Sequence, residues 1–137
     1  MLRYAATYLA TGLSFAAIDF VWLSTLSARL YRPTLDPVLA EDVNLPAAIA
    51  FYLAYVAGVV VLGVIPAART GTWRRGLAQG AMLGAFAYAT YDLTNMATLK
   101  AWALPITLAD IAWGTFVTAI ACAVGVVIWR WAGRRPG

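Results

Sequence analysis

Histidine is absent from this chain, and cysteine and lysine occur once each, as Cys122 and Lys100. A single chain therefore offers no histidine-ligated haem, no zinc site built from histidine and cysteine, and no intrachain dithiol exchange. It also lacks a serine, histidine or thiolate constellation for nucleophilic catalysis. Lys100 falls at a predicted helix end, so a retinal-type Schiff base is not expected. Cys122 is most simply a small packing residue.

Charge is scarce as well. Charged residues make up 12% of the 137 residues, whereas 63% are hydrophobic and the mean hydropathy is +0.76. This composition is too apolar for a soluble domain of this size, so the bilayer is the expected solvent. Apolar runs of about 20 residues predict one all-α domain over residues 1–137. We expect an integral membrane four-helix bundle with helices at about 4–28, 46–67, 76–99 and 105–131.

Proline marks the expected helix ends. Pro46 and Pro105 suit first-turn positions, where no amide donor is needed, and Pro66 is expected to end the second helix. The first helix is long, carries Asp19 and Trp22, and has no basic cluster before it. These features predict a retained span rather than a cleaved signal peptide.

The basic residues are distributed unevenly. Seven of the ten flank one end of the predicted helices, namely Arg3, Arg69, Arg74, Arg75, Arg130, Arg134 and Arg135. The other three fall in the loops at the opposite end, namely Arg29, Arg32 and Lys100. Because lysine and arginine are enriched in cytoplasmic loops, this bias predicts N-in, C-in topology. Orientation and attraction to anionic headgroups account for the net charge of +4, so membrane lipids are expected partners and nucleic acid is not.

Three aspartates lie inside the apolar segments: Asp19, Asp92 and Asp110. An aspartate at a helix centre costs about 2.5 to 3.5 kcal/mol even on the lowest scale, so such residues usually face a bundle interior and mark a site. With the N-terminus inside, all three fall in the outer half of the membrane and could share one cavity. In an alternative, structural role for these aspartates, Arg29 or Arg32 forms an ion pair with Asp19 or Asp92.

The third segment carries the strongest polar stripe. Tyr88, Asp92 and Asn95 occupy positions i, i+4 and i+7, with Tyr91 beside them, which makes one polar and aromatic helix face. Glycines at 76, 80 and 84 continue the same row and permit close approach of another helix. We expect that contact to be internal rather than a dimer seam, because four helices already need buried surfaces.

Two further elements read Asp-x-x-Trp: Asp19 with Trp22, and Asp110 with Trp113. This spacing places each carboxylate beside an indole that can donate a hydrogen bond and exclude water. The resulting ligand-binding set is Asp19, Trp22, Tyr88, Tyr91, Asp92, Asn95, Asp110 and Trp113. Tyr52 and Tyr55, in the second helix, are expected to be aromatic lining of the cavity or interface-belt residues, and the belt is the favoured role for Tyr52.

Several of these residues carry a resemblance to a known family. The segment YDLTNMATL at 91–99, followed by Trp102 and by the segment 110–115, resembles a bacterial family of small predicted membrane proteins, domain-of-unknown-function family 2177. The resemblance extends over nearly the whole chain, including 19–22. It implies a four-helix, multi-pass protein of the bacterial inner membrane whose signature residues are these aspartates, Asn95 and the tryptophans. It brings no established activity.

Three functions remain open. The first is binding or transport of a small cationic or amphiphilic ligand, with carboxylates as counter-charge and aromatic faces around it. Exchange by only four helices would favour a homodimer. The second is an enzyme acting on a lipid or isoprenoid, in which aspartates work as acid and base or hold a divalent cation, with Asp19, Asp92 and Asp110 as candidate ligands. The third is a structural or accessory subunit held together by interhelical hydrogen bonds, such as Asp19 with Trp113.

Overall fold

Helices make up all the regular secondary structure in the computed structural model, which describes residues 1–36 and 39–134. In chain order these are α1 (Leu2–Thr25), α2 (Ser27–Leu30), α3 (Arg32–Leu35), α4 (Leu45–Gly58), a π-helical segment (Val59–Val64), α5 (Ile65–Thr70), α6 (Trp73–Thr98) and α7 (Leu104–Ala132). The stretch from α4 through the π-helical segment to α5 is one continuous helix of 26 residues. The predicted all-α class is confirmed.

Three helices in the described ranges are long and apolar enough to cross a membrane: α1, the continuous helix Leu45–Thr70, and α7. The fourth long helix, α6, has 26 residues and therefore a length of about 39 Å. It is less apolar because Arg74, Arg75 and Gln79 lie in its first turns. Length and composition alone thus identify three spans.

α7 is the central helix. It packs along α6 and α1, and it also meets the π-helical segment and α5. One apolar cluster joins valines of the π-helical segment to Val126 and Trp129 of α7. A second, nearer the start of α7, contains Phe15, Val117 and Ala121. Both clusters place α7 between the other long helices.

The glycines of α6 make its closest contacts with α7. A Cβ on Gly80 would lie 2.6 Å from both the Thr118 carbonyl oxygen and the Cβ of Cys122. A Cβ on Gly84 would overlap the carbonyl of Gly114. The expected internal contact is therefore confirmed, and the buried thiol of Cys122 is part of this packing.

Two of the three prolines expected at helix ends lie there, and the third lies inside a helix. Pro46 and Pro105 lie in the first turns of α4 and α7, as expected. Pro66 does not end the second helix, which continues to Thr70. Proline lacks an amide hydrogen and collides with the carbonyl four residues before it in a regular α-helix. The wider π-helical turns of Val59–Val64 immediately precede Pro66 and relieve that conflict.

Three parts of the chain meet at one end of the molecule. Arg3 Nε donates to the Trp129 carbonyl at 2.9 Å, and its guanidinium lies 3.9 Å from the Trp129 ring centroid. Arg130 Nη1 donates to the Gly71 carbonyl at 2.5 Å. We call this the basic end; its described arginines are Arg3, Arg69, Arg74, Arg75, Arg130 and Arg134. Arg135 lies outside the described residues. The opposite end, where α1 finishes and α7 begins, is called the loop end.

Candidate functional site

Asp19 accepts hydrogen bonds from two other helices. Tyr52 Oη, in α4, donates to Asp19 Oδ2 at 2.5 Å, and Trp113 Nε1, in α7, donates to Asp19 Oδ1 at 3.1 Å. Asp19 itself lies in α1 and is only 8% exposed. One buried carboxylate therefore connects three helices through two neutral donors.

Asp110 has a partner from outside the long helices. Tyr31, between the short helices α2 and α3, donates its hydroxyl hydrogen to Asp110 Oδ1. The same hydroxyl oxygen accepts the indole N–H of Trp22 at 3.3 Å. Burial raises the pKa of Tyr31, and the hydrogen bond to Asp110 adds to that shift. The phenol therefore stays protonated and serves as a donor to the carboxylate.

The two Asp-x-x-Trp elements exchange partners. Trp22 and Trp113 stack with their ring centroids 4.6 Å apart and their planes 14° apart. The Trp113 N–H bonds to Asp19 of the other element, and Trp22 reaches Asp110 through the Tyr31 hydroxyl. The spacing of each element predicts a carboxylate served by the indole on its own helix, and the structure does not show this. The interhelical bond of Asp19 with Trp113, expected under the structural alternative, is confirmed. The stack directs the Trp113 N–H toward Asp19 of α1 and the Trp22 N–H toward the Tyr31 hydroxyl between α2 and α3.

Asp92 differs from the other two aspartates. It is fully buried in α6 at 0% exposure, and neither carboxyl oxygen has a donor within the part of the chain that the structure describes. Its carboxyl group lies near that of Asp110. Ionised carboxylates are acceptors only, so a hydrogen bond between the two groups requires a proton on one of them. We call Asp92 and Asp110 the carboxyl pair.

The polar stripe of α6 divides between two environments. The Tyr88 ring fills the space above Gly114, where a Cβ would overlap it, and so projects into the interior. Tyr91 is 58% exposed and packs edge-on against Trp102 at 5.7 Å between centroids, and Asn95 is half-buried. Tyr88 is thus placed in the interior, whereas Tyr91 lies at the periphery.

Two donors to the carboxylates were not in the predicted set. Tyr31 lies in a loop, where no helical spacing points to a partner. Tyr52 was interpreted as a belt residue, and that interpretation is wrong, because its hydroxyl binds Asp19. The structure does not show the arginine partner of the structural alternative. Arg29 and Arg32 are exposed, Asp19 accepts from Tyr52 and Trp113, and Asp92 has no donor among the described residues. A tyrosine that donates to a buried carboxylate cannot be recognised from sequence alone, because tyrosine is also common at the membrane interface.

An apolar groove of about 410 Å³ opens between the second long helix and α6. Its lining consists of Phe51, Ala54, Tyr55, Gly58, Val59, Leu62, Leu83 and Ala87. Tyr55 connects this groove to the interior, since its hydroxyl shares a hydrogen bond of 2.8 Å with Thr118. Ala87 in its wall precedes Tyr88 in α6, and none of the predicted ligand-binding residues lines the groove.

Metal ligation needs several donors at one point. Among residues 1–36 and 39–134, no three or more histidine, cysteine, aspartate or glutamate side chains lie together in a group that could hold a metal ion. Asp92 and Asp110 face each other, while Asp19 is held by Tyr52 and Trp113. A divalent cation at the three aspartates remains a prediction.

The helical architecture, the three apolar spans and the carboxylates buried among them define an integral membrane protein. Residues 4–127 match the model of the family described as "Predicted membrane protein (DUF2177)", and the chain belongs to that family. The family resemblance inferred from the aspartate and tryptophan motifs is thereby confirmed. No match was found among curated proteins or among solved structures.

Proposed function

We propose that this protein is a four-helix bundle of the bacterial inner membrane that binds a small amphiphilic cation from the outer leaflet. The carboxyl pair of Asp92 and Asp110 would supply the counter-charge. The observation that carries this proposal is the state of Asp92, which is fully buried and has no donor among the described residues. An intramembrane carboxyl group is costly unless a proton or another cation accompanies it.

The route of the chain supports α6 as the fourth span. Contacts of Arg3 with Trp129 and of Arg130 with Gly71 put the end of the second long helix at the basic end. α7 begins at the loop end, where Asp110 meets Tyr31. These contacts support a chain that crosses the same thickness between Gly71 and α7 as it does in α1 and α7, with α6 as the crossing segment.

The hydroxyl groups on α6 are compatible with lipid. Thr90, Thr94 and Thr98 donate to the carbonyls of Phe86, Thr90 and Thr94 at 2.7, 2.5 and 2.8 Å. Donors satisfied within the helix need no water, so this exposed row does not prevent insertion. The arginine bias supports a basic end in the cytoplasm, with the carboxylates in the outer half of the membrane.

The charges around the site favour a cation over an anion. The donors to Asp19 and Asp110 are phenols and an indole, all neutral. A cation near the carboxyl pair would replace its proton, and aromatic faces such as that of Tyr88 attract organic cations. Binding would therefore release a proton.

The groove beside the site suits the apolar part of such a ligand. It is lined by apolar and aromatic side chains and opens toward lipid between the second long helix and α6. Tyr55 lies at its inner wall, and Tyr88 projects into the interior from α6. An amphiphile entering sideways would keep its chain in the groove while its charged group approached the carboxyl pair. Transport by exchange would require a second protomer, since four helices offer little room for alternating access.

The test uses the full chain in lipid nanodiscs. Saturable binding of tetraphenylphosphonium and of decyltrimethylammonium is measured for wild type, Asp92→Asn and Asp36→Asn, together with proton release in weak buffer. Asp36 is an exposed aspartate at the loop end, so Asp36→Asn removes the same charge away from the site. We expect Asp92→Asn to abolish both signals and Asp36→Asn to retain them. Absence of saturable binding to wild type, or its survival in Asp92→Asn, contradicts the proposal.

A second function uses the same carboxyl pair. Two adjacent carboxyl groups in different environments can act as acid and base, which supports an enzyme acting on a lipid or isoprenoid as the alternative. Such an enzyme would convert lipid extracted from its own membrane, whereas a binding protein would return it unchanged. Mass spectrometry of lipid incubated with wild type and with Asp110→Asn distinguishes the two.

Asp19 is better explained by structure than by ligand binding. Its two carboxylate oxygens already accept bonds from Tyr52 and Trp113. Interhelical hydrogen bonds of this kind contribute about 0.6 to 2 kcal/mol in membranes. We propose that Asp19 holds α1 against its neighbours while the carboxyl pair carries the exchangeable charge.

A further inference from the structure

A second groove runs along α6 and α7 at the basic end, away from the carboxylates. Its inner, apolar part has a volume of about 340 Å³ and is lined by Trp73, Leu77, Ile120, Ala123, Val124, Val127 and Ile128. Its outer part, of about 400 Å³, is lined by Thr72, Trp73, Val126, Val127, Arg130, Trp131 and Arg134. Trp73 and Val127 line both parts, so the groove is continuous from the arginines into the apolar region.

The outer part carries positive charge. Arg130 and Arg134 are four residues apart at the end of α7, and both line the groove. Arg130 uses one guanidinium nitrogen for the Gly71 carbonyl, and a guanidinium has five N–H donors. Acidic side chains are not among the residues that line either part. Arginine matches phosphate geometry with paired donors, so this end of the groove fits a phosphate group.

The residues beside the arginines fit the level of the headgroups. Trp73 and Trp131 are 48% and 50% exposed, and both line the outer part. Tryptophan is enriched where the hydrocarbon of a membrane meets water. Below them, Val127 is 51% exposed and begins the apolar part. The arginines, the tryptophan rings and the apolar wall therefore follow one another along the groove in the same order as the phosphate, the interfacial region and the acyl chain of a phospholipid.

We propose that this groove binds an anionic phospholipid, with its phosphate on Arg130 and Arg134 and an acyl chain along the apolar part. Basic pockets between membrane helices on the cytoplasmic side are suited to such headgroups. Binding in this groove differs from non-specific contact with the surrounding lipids, because it depends both on the charge of the headgroup and on the shape of the groove. It requires nothing from the carboxyl pair and holds whether or not the cation proposal is correct.

Native mass spectrometry of the full chain in detergent micelles, with added phosphatidylglycerol or phosphatidylcholine, tests the site. Wild type is expected to retain one phosphatidylglycerol in preference to phosphatidylcholine. Each change, Arg130→Gln and Arg134→Gln, is expected to weaken that retention about fivefold, the value of one arginine near an anionic lipid surface. Arg29→Gln and Arg32→Gln remove equal charges at the loop end and are expected to leave it unchanged.

A change in shape with all arginines kept separates a groove from simple charge attraction. Val127→Trp fills the point where both parts of the groove meet and is expected to abolish retention. Val61→Trp, at an exposed valine of the π-helical segment that lines neither groove, is expected to have no effect. Arg130→Gln also removes the bond to Gly71, so Arg134→Gln and Val127→Trp keep the test independent of folding. Equal retention of the two lipids, equal losses at the two ends of the molecule, or full retention in Val127→Trp would each overturn the proposal.

Discussion

Trp22 and Trp113 stack at 4.6 Å between centroids, and each indole N–H serves the carboxylate of the other's Asp-x-x-Trp element. The connection from Trp113 to Asp19 is direct, whereas that from Trp22 to Asp110 passes through the Tyr31 hydroxyl. The two elements are therefore halves of one interhelical arrangement between α1 and α7. Single substitutions that keep the rings but change the donors can separate stacking from hydrogen bonding.

Trp113→Phe is expected to destabilise the protein because it keeps an aromatic ring in the stack and removes the N–H that Asp19 accepts. A buried acceptor that loses its donor costs about 1 to 3 kcal/mol. Reversible unfolding by denaturing detergent in mixed micelles measures the change. Trp73→Phe, at a half-exposed ring, is the matched control and should stay within about 0.5 kcal/mol of wild type. Equal effects of the two changes would show that the Asp19 bond contributes nothing.

Asp92→Asn and Asp19→Asn are expected to have opposite effects on stability. The Asp92 oxygens have no donor in the described structure, and an asparagine amide there could donate to Asp110. Asp19 accepts two bonds, and an amide group would turn its hydrogens toward one of those donors. We expect Asp92→Asn to be neutral or stabilising by about 1 kcal/mol and Asp19→Asn to be destabilising by about 1 to 3 kcal/mol.

The same unfolding assay checks this pair of predictions. Both substitutions remove one carboxylate and keep nearly the same volume, so each serves as the other's control. A large loss of stability in Asp92→Asn would mean that the carboxyl pair is a structural element rather than a site of exchange.

Two glycines provide a matched test of the contact between α6 and α7. A Cβ on Gly84 would overlap the Gly114 carbonyl, whereas a Cβ on Gly58 would meet nothing within 4 Å. Gly84→Ala should force the helices apart and cost about 1 to 3 kcal/mol, while Gly58→Ala should be tolerated. The comparison is made by detergent unfolding, and equal stability of the two variants would contradict the packing described for α6.

The proposed topology predicts which sites are accessible from outside the cell. In a Cys122→Ala background, Glu41→Cys at the loop end should react with a membrane-impermeant maleimide in intact cells. Arg134→Cys at the basic end should react only after the cells are opened. Labelling of both in intact cells, or of Arg134→Cys alone, would contradict N-in, C-in topology with α6 as the fourth span.

Much of the fold could be predicted because it depends on local properties of the sequence. Long apolar runs predicted the long helices, Pro46 and Pro105 marked two helix starts, and the glycine row predicted the close contact of α6. The course of the second helix through Pro66 could not be predicted. It depends on the π-helical turns that precede the proline, and nothing in the composition of that stretch indicates them.

The sequence predicted most of the residues of the site but not which hydrogen bonds join them. Spacing along one helix fixes which residues share a face, and so it placed Asp19, Asp92 and Asp110 toward a common interior. It does not fix which neighbouring helix supplies the donor. Tyr31 and Tyr52 therefore became visible only when tertiary packing was known. For the same reason the Asp-x-x-Trp spacing favoured the aspartate on the same helix, and the bond of Asp19 with Trp113 was expected only under the structural alternative.

The hydrogen bonds of Asp19 form in a fixed order during synthesis, because its two donors lie at different distances along the chain. Tyr52 follows Asp19 by 33 residues and Trp113 follows it by 94. At about 5 to 20 residues per second, the first helix waits some seconds for one donor and several times longer for the other. Asp19 therefore lacks a hydrogen-bond donor in the nascent chain until these helices are made. The last helix, α7, brings Trp113 and completes the hydrogen bonds of Asp19.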